Sequence, residues 1–244
     1  MSLKAPPKIG FIGSSPPSSP HHESFKAFIP AEIDFTFVQE VSVGKSLYES
    51  RGKVDALVHQ TRSLVEEHGW DGVIVSGGPR EVLNPGFWNR LSAELKVPVA
   101  TALTSSVAAL KVFSASHVLL MTPVDDTLKD MYRQFLAKFG IEANYPAQTL
   151  RAHTDAQKLT PVDVESMTRA TFMTQRGADA IYFQGALLDP IKVLEQLEAE
   201  LAIPIVASNP AMLWFVLSKL GLRYQISGYG RLLASWPALP NLSL

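Results

Sequence analysis

The stretch His68-Gly69-Trp70-Asp71-Gly72-Val73-Ile74-Val75-Ser76-Gly77 is echoed later in the chain by Arg176-Gly177-Ala178-Asp179-Ala180-Ile181-Tyr182-Phe183-Gln184-Gly185, with the aspartates 108 residues apart (179 − 71). Each copy closes an amphipathic stretch, turns on a glycine, runs through a short apolar segment and turns again. That order is the signature of a helix feeding a strand buried on both faces of a parallel sheet. Two further blocks repeat in the same sequence. Ala93-Glu94-Leu95-Lys96-Val97-Pro98-Val99-Ala100 matches Ala199-Glu200-Leu201-Ala202-Ile203-Pro204-Ile205-Val206 at an offset of 106 (204 − 98). Ile9–Gly13 matches Val118–Thr122 at 109 (118 − 9). Three blocks in one order at nearly one offset indicate an internal duplication.

Outward from these blocks, short apolar runs alternate with longer amphipathic ones. Strands are expected at Ile9–Gly13, Ile33–Val38, Gly72–Ser76, Val99–Ala102, Val118–Thr122, Ala143–Leu150, Ala180–Gln184 and Ile205–Ser208. Helical periodicity covers Leu47–His68, Gly86–Leu95, Ser105–Phe113, Thr127–Phe139, Pro161–Arg176, Pro190–Leu201 and Pro210–Leu220. In Thr127–Phe139 the apolar stripe holds Leu128, Met131, Tyr132, Phe135, Leu136 and Phe139, while Lys129, Asp130, Arg133 and Lys138 are expected to face away. The fold class is therefore α/β: two pseudo-symmetric parallel-sheet modules of flavodoxin-like βα repeats, with helices on both faces. The first module spans 1–113 and is completed by 210–244; the second spans 114–209.

Composition narrows the function. With 244 residues, 46% apolar content and a formal net charge of −1, the chain buries a real core and has no basic patch for nucleic acid or an anionic membrane. The longest apolar run, Ala211–Leu217, is far too short to span a bilayer, and Met1–Lys8 lacks a signal-like apolar core. These features predict a cytoplasmic protein with a small-molecule partner and leave room for an oligomer. There is no cysteine anywhere in the sequence. Thiol catalysis, thiolate metal sites and disulfides by this chain are excluded.

Ligands of open parallel sheets bind at the carboxyl ends of the strands. The loops to watch are Ser14–Pro20, Glu40–Lys45, Ser76–Glu81 and Thr104–Ser106, with counterparts Pro123–Asp126, Arg151–Thr154, Gln184–Leu188 and Asn209–Pro210. Ser76-Gly77-Gly78-Pro79-Arg80 is the most informative, because its glycines allow close approach of a ligand and free their N–H groups for an anion. Arg80 is a candidate carboxylate clamp; Thr104-Ser105-Ser106 and Ser208-Asn209-Pro210 offer N-cap hydroxyls. Gly10-Phe11-Ile12-Gly13 lacks dinucleotide spacing, and Gly44-Lys45-Ser46 lacks the first glycine of a phosphate loop, so no nucleotide or other cofactor is implied. The histidines show no ligand spacing and imply no metal; His21, His22 and His153, in or beside the loops, are acid–base candidates.

The duplicated pattern, with Asp71 five residues before Ser76-Gly77 and Asp179 five before Gln184-Gly185, resembles the aspartate/glutamate racemase superfamily, on its arylmalonate decarboxylase and maleate cis–trans isomerase branch. Supporting blocks are Lys8-Ile9-Gly10-Phe11-Ile12, Val97-Pro98-Val99-Ala100-Thr101, Met121-Thr122-Pro123-Val124-Asp125-Asp126, Ile203–Pro210 and Gly228-Tyr229-Gly230-Arg231. The resemblance implies a cleft between the halves where one or two cysteines would act at a substrate α-carbon. Those positions align with Gly77 and Gly185, so neither two-thiol racemisation nor thiol-addition isomerisation is available. The anion-binding framework that the resemblance implies consists of Ser14, Ser76, Gly77, Gly78, Thr122, Gln184 and Gly185. A tyrosine common in the branch is replaced by Pro123. The expectation is an enzyme acting on a small carboxylate or dicarboxylate through an enediolate-like state. The competing readings are a carboxylate receptor without catalysis and a flavodoxin-like nucleotide binder.

Overall fold

The structure is a computed structural model, and it describes residues 5–19, 22–40, 46–146, 153–175 and 177–241. Its strands form two four-stranded parallel sheets of identical topology. The first contains β1 (Lys8–Gly13), β2 (Asp34–Gln39), β3 (Gly72–Val75) and β4 (Val99–Thr101) in the order β2-β1-β3-β4. The second contains β5 (His117–Met121), β6 (Glu142–Asn144), β7 (Ala180–Phe183) and β8 (Ile205–Ala207) in the order β6-β5-β7-β8. Registers repeat as well: Ile9 pairs with Gly72 and Val118 with Ala180, while Val73 pairs with Val99 and Ile181 with Ile205. The strands β2 and β6 start 108 residues apart (142 − 34), a fourth repeated block that residue matching alone did not reveal.

The repeated aspartates serve the sheets. Asp71 accepts from the Lys8 amide at 2.8 Å, and Asp179 accepts from the Ser116 and His117 amides, each tying the entry of the third strand to the entry of the first. They lie at the amino ends of the strands, so their conserved place in both halves is a matter of strand alignment.

The helices are α1 (Glu23–Lys26), α2 (Val54–His68), α3 (Gly78–Leu83), α4 (Phe87–Glu94), α5 (Ala102–Val112), α6 (Asp126–Ala137), α7 (Pro161–Thr174), α8 (Leu194–Leu201), α9 (Ser208–Lys219) and α10 (Arg231–Ser235). Two of them are central. Helices α5 and α9 pack on each other; α5 touches β4 and β8, and α9 touches β3, β4 and β8. Every residue from Ala102 to Leu110 is buried, as is every residue from Pro210 to Leu217. Helices buried around their whole circumference belong to the core, and these two form the wall shared by both sheets.

Several expectations change. The expected helix Leu47–His68 starts only at Val54, after turns through residues 46–52, and the expected helix Pro190–Leu201 starts at Leu194. The expected strand Ala143–Leu150 is observed as Glu142–Asn144; residues 147–150 lie outside the described residues. Thr104, Ser105, Ser106 and Ser208 do not cap from outside: α5 and α9 begin directly at the ends of β4 and β8, so these hydroxyls lie within the helices. Lys129, expected on the solvent face of α6, is 3% exposed, its ammonium paired with Asp126 at 3.0 Å and set over the Tyr145 ring. Its aliphatic stem packs while the charge keeps a partner.

Gly10 in β1 shows how closely the first sheet is covered. A β-carbon there would lie 2.1 Å from the Trp70 ring, which is itself buried. Gly10→Ala forces the indole or the strand to move and is expected to cost about 2–3 kcal/mol, read from the urea midpoint. A midpoint unchanged from wild type would show that the indole repacks freely.

Candidate functional site

The carboxyl ends of both sheets open on one cavity of about 280 Å³. It takes Gly13, Ser14 and Ser15 from the end of β1, Ser76, Gly77 and Gly78 from the turn after β3, and Gln184, Gly185 and Ala186 from the turn after β7. Ser208 and Asn209 enter from the start of α9, and Ala102 from the start of α5. Phe11, Leu47, Pro79, Pro123, Val124, Leu187 and Met212 supply apolar wall. Among the described lining residues there is no Lys, Arg, Asp or Glu. Apart from His22, a ligand anion would therefore meet neutral donors.

The two turns are copies of each other in backbone detail. Ser76 donates its amide to the Ile12 carbonyl and Gln184 donates its amide to the Met121 carbonyl, both at 2.9 Å. The next residues, Gly77 and Gly185, adopt φ of +104° and +100°, which L side chains rarely adopt. Neither glycine amide donates to a backbone carbonyl among the described residues. Two N–H groups are thus presented at the turns, one from each half.

Gln184 crosses from the second half to the first. Its Oε1 accepts from the Thr122 hydroxyl at 3.1 Å, which orients the carboxamide so that Nε2 reaches over Gly78. A β-carbon on Gly78 would lie 2.2 Å from that nitrogen and 3.1 Å from the Tyr132 hydroxyl, so glycine here lets both side chains approach the backbone closely. Thr122 itself is not among the lining residues; it acts through Gln184.

Arg80 is the clear departure from expectation. It is 5% exposed and turned away from the cavity, with its guanidinium on Glu40 at 2.5 Å and a second nitrogen on the Ser76 carbonyl. Burial pulls its pKa below the ordinary value, and the Glu40 carboxylate opposes that fall. It therefore positions the Ser76 turn and does not clamp a ligand. The neighbouring Glu81, fully buried on α3, accepts from the Leu103 amide at 2.6 Å and from the Thr104 amide and hydroxyl at 3.1 and 2.7 Å. This carboxylate, remote in sequence, caps α5 where local hydroxyls were expected to do so. Burial raises its pKa, against the lowering effect of these hydrogen bonds.

Of the acid–base candidates, His22 lines the cavity, held among the Phe11 and Phe37 rings at centroid distances of 5.6 and 4.4 Å. His21, residues 41–45 with Gly44 and Lys45, residues 151 and 152, and the side chain of His153 lie outside the described residues. Sequence reasoning missed Tyr132 and Gln157, both lining the cavity. Tyr132 sat on an apolar helical stripe, where a phenol reads as core; only its hydroxyl was a signal. No cluster of three or more metal-ligating side chains is present among the described residues, and no described helix is long and apolar enough to cross a membrane.

A family model described as arylmalonate decarboxylase matches residues 56–233, nearly three-quarters of the chain. The chain belongs to the arylmalonate decarboxylase family. This places it in the aspartate/glutamate racemase superfamily, on the branch the sequence resembles. Solved structures share the family fold. Maleate isomerase Iso of Pseudomonas putida S16, as a cysteine-to-alanine variant with maleate, is 18% identical with a TM-score of 0.73, covering 93% of this chain and 97% of that one. An arylmalonate decarboxylase is 20% identical with a TM-score of 0.73, covering 94% and 100%. The maleate cis–trans isomerase of Nocardia farcinica, in a variant with a covalently bound succinylcysteine intermediate, is 18% identical with a TM-score of 0.74, covering 94% and 98%. No curated protein matches the chain by sequence.

Proposed function

We propose that this chain is a cytoplasmic, cofactor-independent enzyme that decarboxylates or isomerises a small carboxylate or dicarboxylate through an enediolate-like intermediate, without cysteine. The observation that carries this reading is the pair of matched turns, Ser76–Gly78 and Gln184–Ala186, facing one cavity with neutral donors. Family membership supports the class of reaction. Donors already aimed at a developing oxyanion stabilise it without reorganisation, and the Gly77 and Gly185 amides, the Ser14 and Ser76 hydroxyls and the Gln184 carboxamide are such donors. The apolar wall suits a substrate carrying an apolar substituent. We take the modules to be 1–113 with 210–244, and 114–209.

Since φ near +100° disfavours any side chain at Gly77 and Gly185, we assign the two thiol positions of the family to Ser76 and Gln184, one residue earlier. Neither substitute is a useful acid or base: an unassisted hydroxyl is too weak and an amide does not titrate near neutrality. In a decarboxylation the carbon–carboxylate bond breaks, the electron pair stays in the enediolate, and the α-carbon takes a proton from a group other than a thiol.

The test is incubation with substituted malonates, maleate and amino acids in deuterated water, followed by proton NMR. Loss of carbon dioxide or cis–trans conversion of one member, with deuterium at the α-carbon, is expected. Absence of turnover and of deuterium uptake across the panel overturns the enzymatic reading. Thermal stabilisation by an unaltered carboxylate would then favour the receptor reading.

A further inference from the structure

Tyr132 is a polar group of the cavity that the duplicated turns do not account for. It stands on α6 in the stripe that seats the helix, with Leu128 and Leu136, and is fully buried. Among the described residues its hydroxyl has no hydrogen-bond partner, yet it lines the cavity and lies 3.1 Å from the point where a β-carbon on Gly78 would sit. Gln184 Nε2 lies 2.2 Å from the same point, and Thr122 fixes the direction of that carboxamide. A phenol and an amide N–H thus converge beside Gly78 from the second half of the molecule. Buried polar groups are almost always satisfied, and one left open at a ligand cavity marks a contact the ligand completes. The neighbouring groups are donors, so the complement is an acceptor.

Building on the reading of the cavity as a carboxylate site, we infer that the Tyr132 hydroxyl donates a hydrogen bond directly to a carboxylate oxygen of the bound ligand and is a specificity-determining contact of this protein. Burial, reinforced by Tyr182 and Glu81, pushes the phenol well above its ordinary pKa. Tyr132 therefore keeps its proton wherever carboxylates are ionised, which makes it a hydrogen-bond donor and a poor acid.

The experiment is calorimetric titration of the full chain, wild type and Tyr132→Phe, with phenylacetate, phenylmalonate and maleate. Tyr132→Phe is expected to weaken carboxylate binding about tenfold or more, as for loss of a hydrogen bond to a charged group. Its melting temperature without ligand should hold or rise, because phenylalanine fills the same space and removes an unpartnered hydroxyl. Equal affinities in the two proteins overturn the inference and leave the carboxylate site standing. A wild type that binds none of the three overturns the carboxylate site, and this inference with it. If Tyr132→Phe does not fold, a crystal structure of the wild-type complex decides: a ligand oxygen within about 3 Å of the hydroxyl supports the contact, and a ligand lying elsewhere overturns it.

Discussion

Arg80→Ala should lower folding stability by about 3–5 kcal/mol, the usual result of removing one partner from a buried ion pair. The loss has two parts. Glu40, 4% exposed just after β2, would lose its cation in a site that water barely reaches, and the Ser76 carbonyl would lose its guanidinium donor. Because Glu40 also donates its amide to the Gly13 carbonyl at 2.8 Å, the disturbance runs through the turns after β1 and β3 together. Replacing both partners, as Arg80→Met with Glu40→Leu, should cost much less, since no charge is then stranded. Urea denaturation of the two variants beside wild type measures this. If Arg80→Ala kept its midpoint and only bound carboxylates more weakly, the arginine would act on the ligand after all.

A comparable loss, about 3 kcal/mol or more, is expected for Glu81→Ala. Two first-turn amides of α5 and the Thr104 hydroxyl lose their acceptor in a fully buried place, and a cavity is left as well. The pH dependence has a definite sign. Burial raises the folded-state pKa of Glu81 above its ordinary 4.5, so the folded chain holds this proton more tightly than the unfolded chain. Stability from this group is then fully present below about pH 4.5 and declines as pH rises through the raised folded value. The advantage of wild type over Glu81→Ala should accordingly be greatest in mild acid and shrink toward neutrality. Unfolding free energies of both proteins between pH 4 and pH 8, about the span needed, provide the check. An advantage that grew with pH would mean that the three hydrogen bonds outweigh desolvation and hold the carboxylate ionised.

Much of the architecture could be read from short-range pattern. Apolar runs such as Gly72–Val75 and Ala180–Phe183 announce doubly covered strands, and their spacing announces the duplication, because both depend on residues near one another in the chain. The glycine turns at Ser76–Gly78 and Gln184–Ala186 pointed to loops that line one cavity. What the sequence concealed depends on distant partners. Arg80 read as a carboxylate clamp because its partner Glu40 lies 40 residues earlier (80 − 40); the cap of α5 looked local because Glu81 is 22 residues before Leu103. Tyr132 was absorbed into a helical stripe whose period is blind to where one hydroxyl ends. Lys129 failed the same test in reverse, its stem buried by a helix pattern that assigns whole residues to one side.

The central pair of helices has a consequence for how such a molecule can be divided. Helix α5 follows the last strand of the first sheet and leans on β8; α9 follows the last strand of the second and leans on β3 and β4. Each half therefore shares its buried central helix with its twin. A half-length chain would be born with that helix uncovered, and two identical copies would each shelter the other's. The present molecule has the geometry of such a pair joined into one polypeptide, with the matched turns on the one cavity between them.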